Sequence, residues 1–260
     1  MAFDFSGNAA AKVDHGSDAS LDNLTVGTIM FWAYFTDAAQ GDVDLVYYDK
    51  GDTCEFHGNP DFDIMSLYAE YDGGTSSLVR ATAANLAHFG FNKWVFCAGT
   101  FGNVDAPILA VGDLDSVAAV PAAYSVQATG VGARVSDAAD IAYVGNHAAD
   151  NRNMLSYIAN IHVVETALTL NQIIAQQYRF SPLPNTRLIS HYGFHGTGSA
   201  PDLATGVNNG TPANIALADH VPLAPPFGFD SSISYAIAAG GVAPTGSLYG
   251  PLWGPLAGVA

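Results

Sequence analysis

Positive charge is scarce in this chain: Lys and Arg total 8 against 24 acidic residues, for a formal net charge of −16 over 260 residues. A nucleic-acid partner is excluded, because such binding needs a basic surface to displace phosphate counterions. Anionic lipid is disfavoured for the same reason. Glutamate is rarer still, and Glu55, Glu70 and Glu165 are isolated from one another. The paired carboxylates of glycoside hydrolysis therefore lack their usual residues on one strand. There is no G-x-S-x-G elbow, phosphate loop or dinucleotide fingerprint. No catalytic residue is assigned, and the chain reads as non-enzymatic. Cysteine is limited to Cys54 and Cys97, too few for a secreted disulfide framework. Cys97 lies in an apolar run and reads as a buried thiol, although pairing with Cys54 stays open. No basic start followed by an apolar run opens the sequence, and no window reaches the ~18 apolar residues of a membrane span. These absences predict synthesis in a cytoplasm, without an export signal or membrane anchor.

What is present is a large apolar fraction, 49% of residues, enough for one sizeable β domain. The acidic residues are nearly all Asp, a turn residue. Ile29, Phe31, Ala33 and Phe35 alternate with Met30, Trp32 and Tyr34, so both faces of that strand are apolar and both require cover. From Met154 to Tyr178 the period changes. Tyr157, Ala159, Ile161 and Val163 mark a strand. Thr169 and Gln172 then form a capping-box pattern ahead of Leu170, Ile173, Ile174 and Tyr178 at helical spacing. Phe31, Trp94, Val95, Val144 and Ile161 are the expected core. His191 and His195 read as surface or turn histidines, and Cys54, Glu55 and His57 as a loop cluster. No metal-ligand set is assigned.

An ordered series of segments carries a resemblance. Ala2-Phe3-Asp4-Phe5-Ser6-Gly7-Asn8, Leu24 to Phe35, Val43 to Gly51, Asn92-Lys93-Trp94 through Phe101, Ile108 to Asp113, Ile141 to Asn146, and Ala159 through Ile174 resemble, in sequence order, the laminin-G-like, concanavalin A-like jelly roll. The match runs over about residues 2 to 178. It implies an all-β antiparallel sandwich with one short helix. The family's occasional calcium sites imply candidate loop ligands at Asp42, Asp44, Asp113, Asp115, Asp137 and Asp140, against the plainer reading of these as turn aspartates. Calcium apart, no cofactor is expected.

After Arg187 the composition changes: no Lys, Arg or Glu occurs from Leu188 to Ala260. Leu188 to Phe194 reads as a late strand, followed by Val207-Asn208-Asn209-Gly210-Thr211 and Ala218-Asp219-His220-Val221-Pro222. That order is similar to phage and prophage virion proteins. Residues 228–260 are Gly- and Pro-rich with Asp230 as the only charge, so regular structure is unfavourable. Tyr249, Leu252, Trp253 and Leu256 are too apolar for a solvated linker. They are the expected partner-binding residues, docking on another chain or packing on their own domain. The reading is thus a sandwich over residues 1–227, with 188–227 supplying a late strand and loops, and an extended docking tail over 228–260. The resemblance implies a virion structural protein, a capsid decoration or cement protein held to the major capsid protein or other virion subunits through its tail. Homo-oligomerisation is expected with it. The alternative is a carbohydrate-binding, lectin-like module on a virion or cell surface, for which exposed Trp or Tyr beside Asn and Asp on a sheet face would speak.

Overall fold

The computed structural model describes residues 2–36, 45–51, 53–58, 64–149, 152–154, 156–180, 187–192, 200–204, 206, 208–219 and 221. The chain divides between Pro226 and Phe227, and everything described belongs to the first part. The tail, with Tyr249, Leu252, Trp253 and Leu256, lies outside the described residues, as do Asp42, Asp44 and His195.

In chain order the strands are β1 (Ala2–Asp4), β2 (Lys12–Asp14), β3 (Val26–Phe35), β4 (Leu45–Lys50), β5 (Cys54–Gly58), β6 (Ile64–Ala69), β7 (Ser77–Thr82), β8 (Trp94–Gly102), β9 (Leu109–Asp113), β10 (Val126–Ala128), β11 (Ala142–Val144) and β12 (Ser156–Val164). Helix α1 (Leu170–Gln177) follows, then β13 (Leu188–Tyr192), β14 (Thr211–Ala213) and β15 (Ala216–Ala218). They form two antiparallel sheets. The first runs β15-β1-β12-β3-β8-β9, with β13 beside the second half of β12. The second runs β10-β7-β6-β5-β4-β11-β2-β14. Among the described residues the protein is an antiparallel β-sandwich with one α-helix, as expected.

Alternation builds the core. Ile29, Phe31, Ala33 and Phe35 of β3 meet Tyr47, Phe56, Leu67 and Val79 of the second sheet, and Val95, Val144 and Ile161 join them, all buried. The opposite parity makes a second apolar layer outside the first sheet: Met30, Trp32, Phe96, Ala98 and Ala110, closed by Leu168 and Ile173. The cover that the two-faced β3 demanded is therefore α1, whose amphipathic stripe buries Ile173. Its start is fixed by the expected capping box, with Thr169 accepting from the Gln172 backbone and Gln172 reaching back. Close approach at one turn requires glycine. Gly145 has φ +82, and a Cβ there would stand 2.2 Å from the Phe5 ring.

Four expectations need correction. Trp94 belongs to the outer layer, half-buried, and not to the core between the sheets. Its neighbour Val95 takes the inward position. The strand from Ser156 does not keep one parity. Asn160 adopts φ +53 at a register shift between Ala159 and His162, so Tyr157 and Ala159 face out while Ile161 and Val163 face in. Cys54, Glu55 and His57 sit on strand β5, not in a loop. His191 is buried, paired with His162 across β12 and β13, with the rings stacked at 4.2 Å. Both cysteines are buried and free.

The late segment is stitched into both sheets through β13, β14 and β15. Fully buried Asn208 of the Asn-Asn-Gly-Thr motif donates to Ser190 Oγ at 2.8 Å and Ser20 Oγ at 3.0 Å. Its carbonyl lies 3.3 Å from His15 Nδ1. That motif ties the late segment to residues 15–20 of the early one.

Candidate functional site

Helix α1 packs on the outside of the first sheet over the row containing Trp32 and Phe96, where the Trp32 indole donates to the Gln177 carbonyl at 3.0 Å. One pleat repeat further along, the register places Tyr157 of β12 opposite Tyr34 of β3, and Tyr34 opposite Trp94 of β8. All three rings are half-buried. Tyr157 and Tyr34 lie nearly parallel at 18°, centroids 5.4 Å apart; Tyr34 and Trp94 meet edge-on at 71° and 5.7 Å. Asp4 is the cross-strand neighbour of Tyr157 at one end of the row. Burial, then the Asp4 charge and Tyr34, push the Tyr157 phenol up, so it stays protonated at neutral pH. Near the β8 and β9 end Lys93 pairs with Asp113 at 2.9 Å, and the Tyr178 hydroxyl donates to the Asp113 carbonyl at 3.2 Å. The result is a contiguous aromatic ridge across three strands, apolar in its rings and polar at its hydroxyls and indole N–H. Sequence reasoning placed Tyr34 on the second face of its strand by parity but put Trp94 in the core, and missed the row, because only the register brings Tyr157 and Trp94 beside Tyr34.

The outside of the second sheet is polar. Asp49 and Glu55 are directly opposed across β4 and β5, and His147 joins them with ligand atoms within 4.8 Å of one another. The sequence reading assigned no metal-ligand set and no glycosidase-type carboxylate pair across a groove. It looked for glutamates in one strand and could not see this Asp–Glu register. Glu55 is bound by Arg152, and its Oε2 lies 3.3 Å from His57 Nδ1, at ion-pair distance without hydrogen-bond alignment. His57 Nε2 lies 3.1 Å from Ser66 Oγ, to which Arg80 Nε donates at 3.2 Å. A Ser–His–Glu order like this has the connectivity of a nucleophile, base and orienting acid. Yet Ser66 and Asp49 are fully buried, so neither presents an atom to a substrate. His147 Nδ1 accepts from the Ala149 backbone at 3.2 Å. Asp49, Glu55, His57 and Ser66 thus form a largely buried polar network with the partly buried His147 at its edge.

Of the calcium candidates among the described residues, Asp113 and Asp137 have carboxylates paired with cations. Lys50 Nζ, its side chain 1% exposed, bonds Asp22 Oδ1 at 2.9 Å and the carbonyls of Asp137 and Asp140 at 3.1 and 2.9 Å. Asp137 Oδ2 pairs with buried Arg134 at 3.0 Å, and its Oδ1 accepts from the Asn23 backbone at 2.6 Å. An ammonium thus occupies the oxygen cage among these loops. Asp113 is taken by Lys93, and Asp115 lies exposed beside it with its backbone on Asp113 Oδ1 at 3.0 Å. A separate open recess is lined by Lys12, Asp14, His15, Asp18, Asn209 and Thr211. His15 at its base is stacked on Tyr192 at 3.8 Å, and burial pushes its pKa down to about 3.

No family model matches the sequence, and no curated protein matches it significantly. Solved structures do resemble the fold. A Bacteroides ovatus protein described as carbohydrate-binding matches with a TM-score of 0.57 and 15% identity over 83% of this chain. The chain spans 58% of that structure. Tailspike protein 2 of Escherichia coli O157:H7 bacteriophage CAB120 matches at 0.47 and 11% identity over 70% of this chain and 25% of its own. The binding domain of botulinum neurotoxin serotype G matches at 0.43 and 8% identity, over 60% and 37%. Among the described residues no helix is long and apolar enough to cross a membrane. At these identities the first of these likenesses speaks to architecture alone: the chain shares the β-sandwich fold of the Bacteroides ovatus protein.

Proposed function

We propose that this chain is a non-enzymatic carbohydrate-binding module, with the Tyr157–Tyr34–Trp94 ridge as its contact surface. The ridge is the observation that carries the reading. Aromatic rings in a row offer flat apolar area for the C–H faces of sugar rings, and their polar tips serve the hydroxyls. The sandwich shared with a protein described as carbohydrate-binding supports the reading at the level of fold. The test is a glycan array, followed by calorimetry on hits with Tyr34→Ala and Trp94→Ala. Binding should weaken at least tenfold in each; undiminished binding in both would refute the assignment of the surface.

A second reading comes from the sequence of the tail. The spacing of Tyr249, Leu252, Trp253 and Leu256 among Gly and Pro suits docking on a larger assembly, and the order of motifs after Arg187 is similar to virion proteins. On this reading the module is a virion decoration protein of laminin-G-like type, anchored to capsid subunits. Deleting 228–260 should leave a folded sandwich that no longer joins particles. Particles decorated equally well by the truncated chain would remove the tail as anchor.

A further inference from the structure

We infer that the ridge takes an uncharged, linear oligosaccharide, gripped along its length, and rejects acidic glycans. This inference rests on the carbohydrate-binding reading and names its ligand class. The first support is the distribution of positive charge. An acidic sugar needs a cation that is not already engaged by a carboxylate. All eight lysines and arginines are among the described residues. Five are paired with carboxylates: Lys50 with Asp22, Lys93 with Asp113, Arg134 with Asp137, Arg152 with Glu55 and Arg187 with Glu165. Arg80 donates to Ser66, and Lys12 donates to the Ala148 carbonyl while lying over the Tyr143 ring at 4.9 Å, on the other sheet. Arg179 is exposed just beyond the end of α1. At the ridge itself Asp4 stands at one end and the Lys93–Asp113 pair near the other. With a net charge of −16 behind it, the local field opposes a uronate, sialate or sulfated sugar.

The second support is shape. The three rings occupy consecutive strands, so the ridge runs across the sheet for two inter-strand spacings, roughly 10 Å. That length matches two or three sugar rings in line, more than a single sugar can use. The ring geometry changes along it, from the near-parallel Tyr157–Tyr34 pair to the edge-on Tyr34–Trp94 pair, so successive sugars meet different surfaces. Affinity should therefore grow from monosaccharide to trisaccharide. It should depend little on salt, because no ion pair forms on binding.

The experiment is calorimetry of the full chain with two ligand sets, at 20 mM and 500 mM NaCl. One set holds neutral gluco-, manno- and galacto-oligosaccharides from one to six units. The other holds hyaluronate, alginate and polygalacturonate fragments and sialyllactose. The expected result is binding to a neutral oligomer that strengthens at least tenfold from one unit to three. It should change less than threefold between the two salt concentrations and be lost in Tyr34→Ala. Arg179→Ala should bind as the parent does. Preference for the acidic set, weakened by salt and by Arg179→Ala, would overturn this inference while leaving the carbohydrate reading intact. No binding to either set, by a protein that melts cooperatively, would overturn both.

Discussion

Lys50→Met isolates the interaction that closes the loops at one end of the sandwich. The lysine side chain is 1% exposed, and its ammonium serves three oxygens, the Asp22 carboxylate and the carbonyls of Asp137 and Asp140. Methionine keeps most of the stem volume, so the packing penalty should stay below about 1.5 kcal/mol. The greater cost comes from the groups left behind: an Asp22 carboxylate 13% exposed and two carbonyls stripped of their donor. Removing one partner of such a buried pair costs about 3–5 kcal/mol. In a domain of this size each kcal/mol moves the melting temperature by roughly 2–4 °C. The expected fall is therefore on the order of 10 °C, with a matching drop in the urea midpoint at unchanged m-value. Asp22→Asn with Lys50→Met should be less than additive, since the second change removes a charge already orphaned. A loss under about 1 kcal/mol for Lys50→Met, against that expectation, would mean that the ammonium does not hold these loops together.

Other consequences follow from burial. Burial pushes the Cys54 thiol up to about 12 and Cys97 higher still; both should resist a thiol reagent at pH 8 in the native protein and react only on unfolding. Rapid native labelling of either would contradict the assigned packing. Burial depresses His15 to about 3, and burial together with His191 depresses His162 well below its usual value. Their contribution is present above the unfolded pKa of 6.5 and is lost as pH falls from there toward the folded values, because only the unfolded chain takes up the proton. Each should cost about 2 kcal/mol between pH 7 and pH 5. Urea midpoints at the two pH values should converge in His15→Gln and His162→Gln, and an unaltered difference in both would refute the linkage. Trp32→Ala, at a fully buried ring donating to Gln177, should cost about 3–5 kcal/mol. Trp94→Ala, half-exposed on the ridge, should cost clearly less; equal costs by chemical denaturation would place Trp94 back in a core.

The parts of the fold legible in the sequence were those set by local chemistry. Thr169 and Gln172 announced the helix because a capping box needs only residues three apart. The two-faced β3 announced a covering layer because its own alternation is apolar on both sides. The same property hid the place of Trp94: with both faces of the first sheet buried, hydrophobicity cannot say which parity faces the other sheet. Asn160 flipped the phase of β12 through a left-handed backbone that no periodicity registers. The ridge and the Asp49–Glu55 pair depend on cross-strand register, Tyr34 with Tyr157 far apart in the chain and Asp49 with Glu55 across a hairpin in which Asp49, read from the sequence as part of the turn, belongs to the strand. The loop aspartates were candidate cation ligands through the family resemblance; the sequence alone could not show that Lys50 reaches the Asp137 and Asp140 carbonyls.

The central claim, that the aromatic ridge binds carbohydrate, is tested most directly by NMR titration of the labelled protein with the oligosaccharide that binds best. Saturable shifts are expected in the side chains of Tyr34, Tyr157 and Trp94 and in the amides around them, with the recess at Asp14, Asp18 and Thr211 unmoved. Shifts confined to that recess, with the ridge silent, would contradict it.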